Sequence, residues 1–294
     1  RVAATIDVVH GLTVLLRALI EPGDGVVLTP PVYHPFFTLT EQAGGRVVEA
    51  PLGPDRALDL DRIERAFRDG ARAMLLCSPH NPTGAVPSRH ELSELAELAA
   101  RHGAWVLSDE IHAPLTLPGA EHVPFLSVSP AAAEYGICLA SASKAFNLAG
   151  LGCAVIATAS DRARAVVEGL PEGSLHPGHL GVIGARAAFA AGDEWLDRVI
   201  ERLDRNRRLL GDLLARELPA VGYEPPRAGY LAWLDCGRLG LGEDPAALIL
   251  ERSALALSPG PRFGSGGGGH CRLNIGTAPE IVSEAVARMA GAVR

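Results

Sequence analysis

Lysine is almost missing from this sequence. Of its 27 Lys and Arg residues, only Lys144 is a lysine. Arginine can replace lysine wherever positive charge alone matters, but it cannot replace a nucleophilic amine. A single lysine kept against that bias marks a place where amine chemistry is expected. The chain also lacks any apolar run near the about 18 residues that a membrane-spanning helix needs. Its formal net charge is −7, and no basic cluster offers a footprint for nucleic acid or an anionic membrane. The five cysteines, Cys77, Cys138, Cys153, Cys236 and Cys271, are scattered and form no C-x-x-C pair. That excludes a zinc-ribbon spacing and a disulfide framework, and it fits reduced thiols in a cytoplasmic protein with no metal site. The sequence opens at Arg1 and runs straight into a helical pattern, so its true N-terminus is expected upstream.

What is present is the composition of a globular chain, 48% hydrophobic and 21% charged, long enough for two domains or one large α/β domain. Residues 8–20 read as a helix stopped by Glu21-Pro-Gly-Asp24. Buried strands are expected at 26–29, 46–50, 72–78, 104–108, 136–140 and 153–158, with a helix over 61–68 between the second and third. Ser88 and Glu91 form a capping box that opens a further helix, ended by Gly103. Continuous apolar strands alternating with helices imply a mostly parallel sheet covered on both faces. Residues 176–216 are helical in pattern. Short strands are then expected at 222–224, 230–235 and 271–275, with helices from about 244 and 279. The reading is α/β: a large domain over 1–175, a connecting helical region over 176–215 and a small α+β domain over 216–294.

Three polar clusters follow directly on expected strands: Ser78-Pro-His-Asn-Pro-Thr-Gly84, Ser108-Asp-Glu-Ile-His112 and Ser141-Ala-Ser-Lys144. In a parallel sheet they meet at the strands' carboxyl end, where ligands bind. Together they offer an amine to form an imine, a carboxylate to pair with a pyridine nitrogen, an amide to donate to a phenolate oxygen, and hydroxyls for a phosphate. The set, with 28 residues from Asn81 to Asp109 and 35 from there to Lys144, resembles the class I/II aminotransferase group of fold-type I pyridoxal-5′-phosphate (PLP) enzymes. The stretches Thr29-Pro-Pro-Val-Tyr-His-Pro-Phe-Phe37, Ser143-Lys-Ala-Phe-Asn147 and Tyr230-Leu-Ala-Trp-Leu-Asp235 are similar to the cystathionine β-lyase (C–S lyase) branch of that family.

The resemblance implies an aspartate-aminotransferase-like fold, PLP as cofactor, an amino acid as substrate and a homodimer. It implies that Lys144 holds the cofactor as a Schiff base and that Asp109 pairs with the ring nitrogen. Asn81 and His112 would approach the ring's 3-oxygen, and Tyr33 would stack on the ring. Ser141, Ser143 and the amides of Val8 and Val9 would hold the phosphate, and Arg272 the substrate carboxylate. There are two departures. Gly152 stands where many aminotransferases carry a phosphate-binding Arg, which favours the lyase branch. Asp7 stands where relatives usually have Gly at the start of the phosphate-binding helix.

The expected activity is β-elimination from cystathionine or cysteine S-conjugates, giving pyruvate, ammonia and a thiol. An aminotransferase and a PLP-binding regulatory domain are the alternatives, because no motif read from first principles sets the reaction branch. Two rival motifs fail. Gly264-Ser-Gly-Gly-Gly-Gly269 precedes a strand, whereas a dinucleotide fingerprint follows one. Ser141-Ala-Ser-Lys144 fits S-x-x-K, but there is no second lysine to complete an acyl-serine site. His10, His34, His80 and His90 are read as solvated or locally bonded.

Overall fold

A computed structural model describes residues 1–293. Its strands are β1 (Val2–Thr5), β2 (Gly25–Leu28), β3 (Arg46–Glu49), β4 (Ala71–Cys77), β5 (Trp105–Asp109), β6 (Gly136–Ala140), β7 (Ala154–Ala157), β8 (Gly222–Tyr223), β9 (Leu231–Asp235), β10 (Ser258–Pro259) and β11 (His270–Asn274). Its helices are α1 (Val8–Leu19), α2 (Pro35–Gln42), α3 (Leu60–Arg68), α4 (Arg89–His102), α5 (Pro130–Tyr135), α6 (Asp161–Glu168), α7 (His179–Ala191), α8 (Asp193–Glu217), α9 (Pro245–Ser253) and α10 (Pro279–Ala292). Seven strands form one sheet in the order β1-β7-β6-β5-β4-β2-β3, and four form a second in the order β10-β11-β9-β8. In the large sheet β3, β2, β4, β5 and β6 are mutually parallel. β7 runs antiparallel to β6, and β1 antiparallel to β7. β1 therefore points the same way as β6. It is a correction to the sequence reading, which ran residues 1–5 into the helix: four residues carry too little period to show a strand, and their partner lies 150 positions away.

Strand alternation builds two cores and aims the polar ends. Val26, Leu28, Leu75, Leu107, Ile137 and Leu139 face α1, α2 and α6. Val27, Met74, Leu76, Val106 and Cys138 face α3, α4 and α5. The same period of two puts Cys77 and Asp109 on the α1 side. Cys77 pairs with Asp109 across β4 and β5, and Asp109 with Leu139 across β5 and β6, so the three strands end in one row. Ser78 and Ser141 follow β4 and β6 directly, and Ser108 and Asp109 end β5, so the three polar clusters meet at this row. β1 delivers the N-terminus of α1 to the same edge, and β2 delivers Thr29 to Tyr33. The capping box at Ser88 and Glu91 is present, and Gly103 closes α4 in the left-handed conformation.

The second sheet is antiparallel throughout. It packs with α9, α10 and the C-terminal half of α8 around Leu210, Leu214, Ile249, Leu273, Val286 and Met289. The helical pattern over 176–216 is divided at Gly192 between α7 and α8. A Cβ at Gly192 would collide with the Ala188 carbonyl and the Phe146 ring. All five cysteines are free, and Cys153 alone of them is not fully buried. Among the described residues no helix is long and apolar enough to cross a membrane, and no cluster of His, Cys, Asp and Glu could hold a metal ion.

Candidate active site

The carboxyl edge of the large sheet and the facing edge of the small one enclose a cavity of about 610 Å³. Every residue singled out from the sequence lines it: Val8, Val9, Tyr33, Asn81, Asp109, His112, Ser141, Ser143, Lys144 and Arg272. Lys144 sits four residues beyond β6, half-buried at the cavity wall. Asp109 ends β5 and is 5% exposed. Among the described residues its carboxylate makes one hydrogen bond, accepting from the Ile111 N–H at 3.1 Å, and no ion pair. Burial raises its pKa from 3.8 to about 7, against the Ile111 bond, which lowers it; Glu110 adds to the rise and Lys144 opposes it. A buried carboxylate so poorly matched calls for a cationic donor.

Arg272 comes from the other sheet. One of its nitrogens donates to Asn81 Oδ1 at 2.8 Å and another to Ser258 Oγ at 3.1 Å. Its guanidinium lies 4.9 Å from the Phe263 ring centroid. Because Arg272 occupies the amide oxygen of Asn81, the NH₂ of that amide is left as a donor. His112 is buried, and its pKa is lowered to about 4, first by burial and then by Lys144 and Arg272. It is therefore a neutral imidazole at pH 7. It packs edge-on against Tyr230 at 5.6 Å. Burial raises the Tyr33 hydroxyl, with Asp109 adding to the shift.

At the far end of the cavity α1 begins. Its first amides have no partner within the helix, which makes a helix N-terminus a natural anion site. Asp7 caps it, accepting from the His10 N–H at 2.7 Å. Ser141 Oγ donates to the Cys153 carbonyl at 2.6 Å and accepts from the Ser143 N–H at 3.1 Å. Its hydroxyl proton is thus committed to shaping the turn, whereas among the described residues the Ser143 hydroxyl makes no hydrogen bond.

Sequence reasoning assigned no role to Tyr230, Ser258 or His34, all of which line the cavity. Tyr230 stood in a stretch already recognised as similar to the family, so a signal existed. Ser258 had none: it meets Arg272 only through the register of the two-residue β10 with β11. His34, expected to be solvated or locally bonded, is partly enclosed, and its Nδ1 has no hydrogen-bond partner among the described residues. His80 is fully interior, its ring bonded to Thr83 Oγ1 at 3.0 Å and to the Thr29 carbonyl at 3.3 Å. It is locally bonded, as expected.

The family model described as aminotransferase class I and II matches residues 2–289. A Mycobacterium leprae protein is 44% identical, the match covering 100% of this chain and 78% of its own. The cystathionine beta-lyase PatB of Bacillus subtilis is 36% identical, over 97% of this chain and 76% of its own. The PLP-bound C–S lyase of Staphylococcus hominis superposes with a TM-score of 0.93 at 26% identity, covering 99% of this chain and 78% of that one. The fold is aspartate-aminotransferase-like.

Proposed function

The chain belongs to the class I and II aminotransferase family, and on that premise we propose that it is a PLP-dependent carbon–sulfur β-lyase acting on cystathionine or other cysteine S-conjugates. The observation that carries the reading is the meeting, in one cavity, of the chain's single lysine, a buried carboxylate without a cation and an arginine fixed for a carboxylate. The residues fit the cofactor. A protonated pyridine nitrogen supplies the cationic donor that Asp109 lacks, the free NH₂ of Asn81 suits a phenolate oxygen, and the unpartnered amides of α1 suit a phosphate.

When bound, PLP supplies an electron sink for negative charge developing at the substrate Cα. The rest is done by side chains. Lys144 would hold the cofactor, and its Nζ would take the Cα proton of the substrate. Asp109 keeps the ring nitrogen protonated. Arg272 grips the α-carboxylate with a fork that Asn81 and Ser258 have already oriented. Tyr33 would cover the ring, and neutral His112 would approach its 3-oxygen without adding charge. Val8, Val9 and Ser143 hold the phosphate, with Ser141 shaping their turn. The Cβ–S bond breaks, sulfur leaves with a proton as the thiol, and the three-carbon fragment takes up water to give pyruvate and ammonia.

Gly152 and the C–S lyase relatives support elimination over transamination. We place the enzyme in the cytoplasm as a homodimer. Five free thiols support the first. Exposed Leu180, Ile183, Phe189 and Trp195 on α7 and α8 support the second. The division at about 175 and 215 is supported by two sheets with separate cores. Steady release of thiol from L-cystathionine, read with a chromogenic disulfide, tests the reading. Lys144→Ala should abolish both the release and the visible absorption of bound cofactor. Thiol release that survives in Lys144→Ala would contradict it.

A further inference from the structure

The geometry points to Asp7 as a residue that weakens retention of the cofactor's phosphate, so that this chain holds PLP less tightly than its fold allows. The inference rests on the PLP reading above and adds a residue that opposes it. Asp7 lines the same end of the cavity as Val8, Val9, Ser143 and Gly152. Its backbone is extended and its carboxylate accepts from the third amide of α1. The first-turn amides of a helix converge on one point, so an anion on the Val8 and Val9 amides must sit within a few ångströms of the carboxylate on the His10 amide. A phosphate dianion and a carboxylate then share one helix terminus.

Among the described residues lining the cavity, no cation is free to offset the repulsion. Among the described lining residues, Lys144 and Arg272 carry the permanent positive charges. Lys144 is committed to the covalent link, and Arg272 is tied to Asn81 and Ser258. Gly152, in the left-handed conformation, adds backbone only. Asp7 also consumes one of the amides that could have served the phosphate. Because Asp7 is exposed, the repulsion passes through high-dielectric surroundings and is moderate and salt-sensitive.

The test is a gain of affinity, which a damaged fold does not produce. Asn and Ser cap helices about as well as Asp, so Asp7→Asn and Asp7→Ser keep the cap and remove the charge. Apoprotein is titrated with PLP and, separately, with pyridoxal, which lacks the phosphate. Binding is followed by visible absorbance and by equilibrium dialysis. Both variants should bind PLP about three- to tenfold more tightly than wild type at low salt. The gain should shrink at about 1 M salt, where the Debye length is about 3 Å. Affinity for pyridoxal should stay level. Unchanged or weaker PLP binding in both variants, with wild type still labelled at Lys144, would overturn the role of Asp7 alone. An equal gain for pyridoxal would also overturn it, since the phosphate would then not be the group opposed. Failure of wild type to bind PLP at Lys144 would overturn the underlying reading, and this inference with it.

Discussion

A carboxylate buried without a cation destabilises the fold that contains it, and Asp109 is such a group. Its pKa is raised from 3.8 to about 7, chiefly by burial. Below about pH 4 the carboxyl is protonated in folded and unfolded chains alike, and no penalty arises. Between about pH 4 and 7 the unfolded chain releases its proton while the folded chain keeps it, so stability falls as pH rises. Above about pH 7 the loss is complete, at most about 4 kcal/mol for a shift of this size. Cofactor-free Asp109→Asn should therefore melt progressively higher than cofactor-free wild type across that window. Thermal denaturation at several pH values checks it, and parallel curves for the two proteins would refute it. The same residue that costs the empty fold stability is the one we propose keeps the ring nitrogen protonated. Asn81 and Arg272 show a second economy: one hydrogen bond at 2.8 Å orients both an amide donor and a carboxylate fork.

At the scale of elements, the Asn-Pro-Thr-Gly turn is held by its glycine. Gly84 has φ +68, and its carbonyl accepts from the Arg227 and Ala228 N–H groups of the segment entering β9. A Cβ there would collide with Pro226 and lie 3.2 Å from the Ala228 carbonyl. Gly84→Ala should lower stability by about 1–3 kcal/mol, measured as the midpoint of chemical denaturation; an unmoved midpoint would contradict this. The three polar clusters were legible because each follows a buried strand long enough to show its apolar run. The capping box of α4 was legible because its signal is local. β1 and β10 were not: with four and two residues they exist only through pairing with distant partners. The direction of β7 was hidden as well, since the apolar pattern of a short strand reads alike in either sense. The orphaned Nδ1 of His34 and the neutrality of His112 depend on burial that no spacing reveals.

For the whole molecule, the site exists because two sheets are held edge to edge. The large-sheet side contributes Lys144, Asp109 and the N-terminus of α1, and the small-sheet side contributes Arg272, Ser258 and Tyr230. On the proposed reading, a ligand bridging them would meet Lys144 on one side and Arg272 on the other, with its Cα–H bond within reach of Lys144. That arrangement serves any reaction that begins with loss of the Cα proton. The central claim is that the reaction then proceeds by loss of a β-thiol. A transaminase must return its cofactor to the aldehyde form with a 2-keto acid, whereas an eliminating enzyme needs no second substrate. The direct measurement is the pyruvate formed from L-cystathionine over many turnovers, with and without an added 2-keto acid. The account predicts pyruvate, ammonia and homocysteine in equal amounts and at the same rate in both. Turnover that stops after one equivalent without the keto acid, and resumes with a new amino acid when it is added, would contradict it.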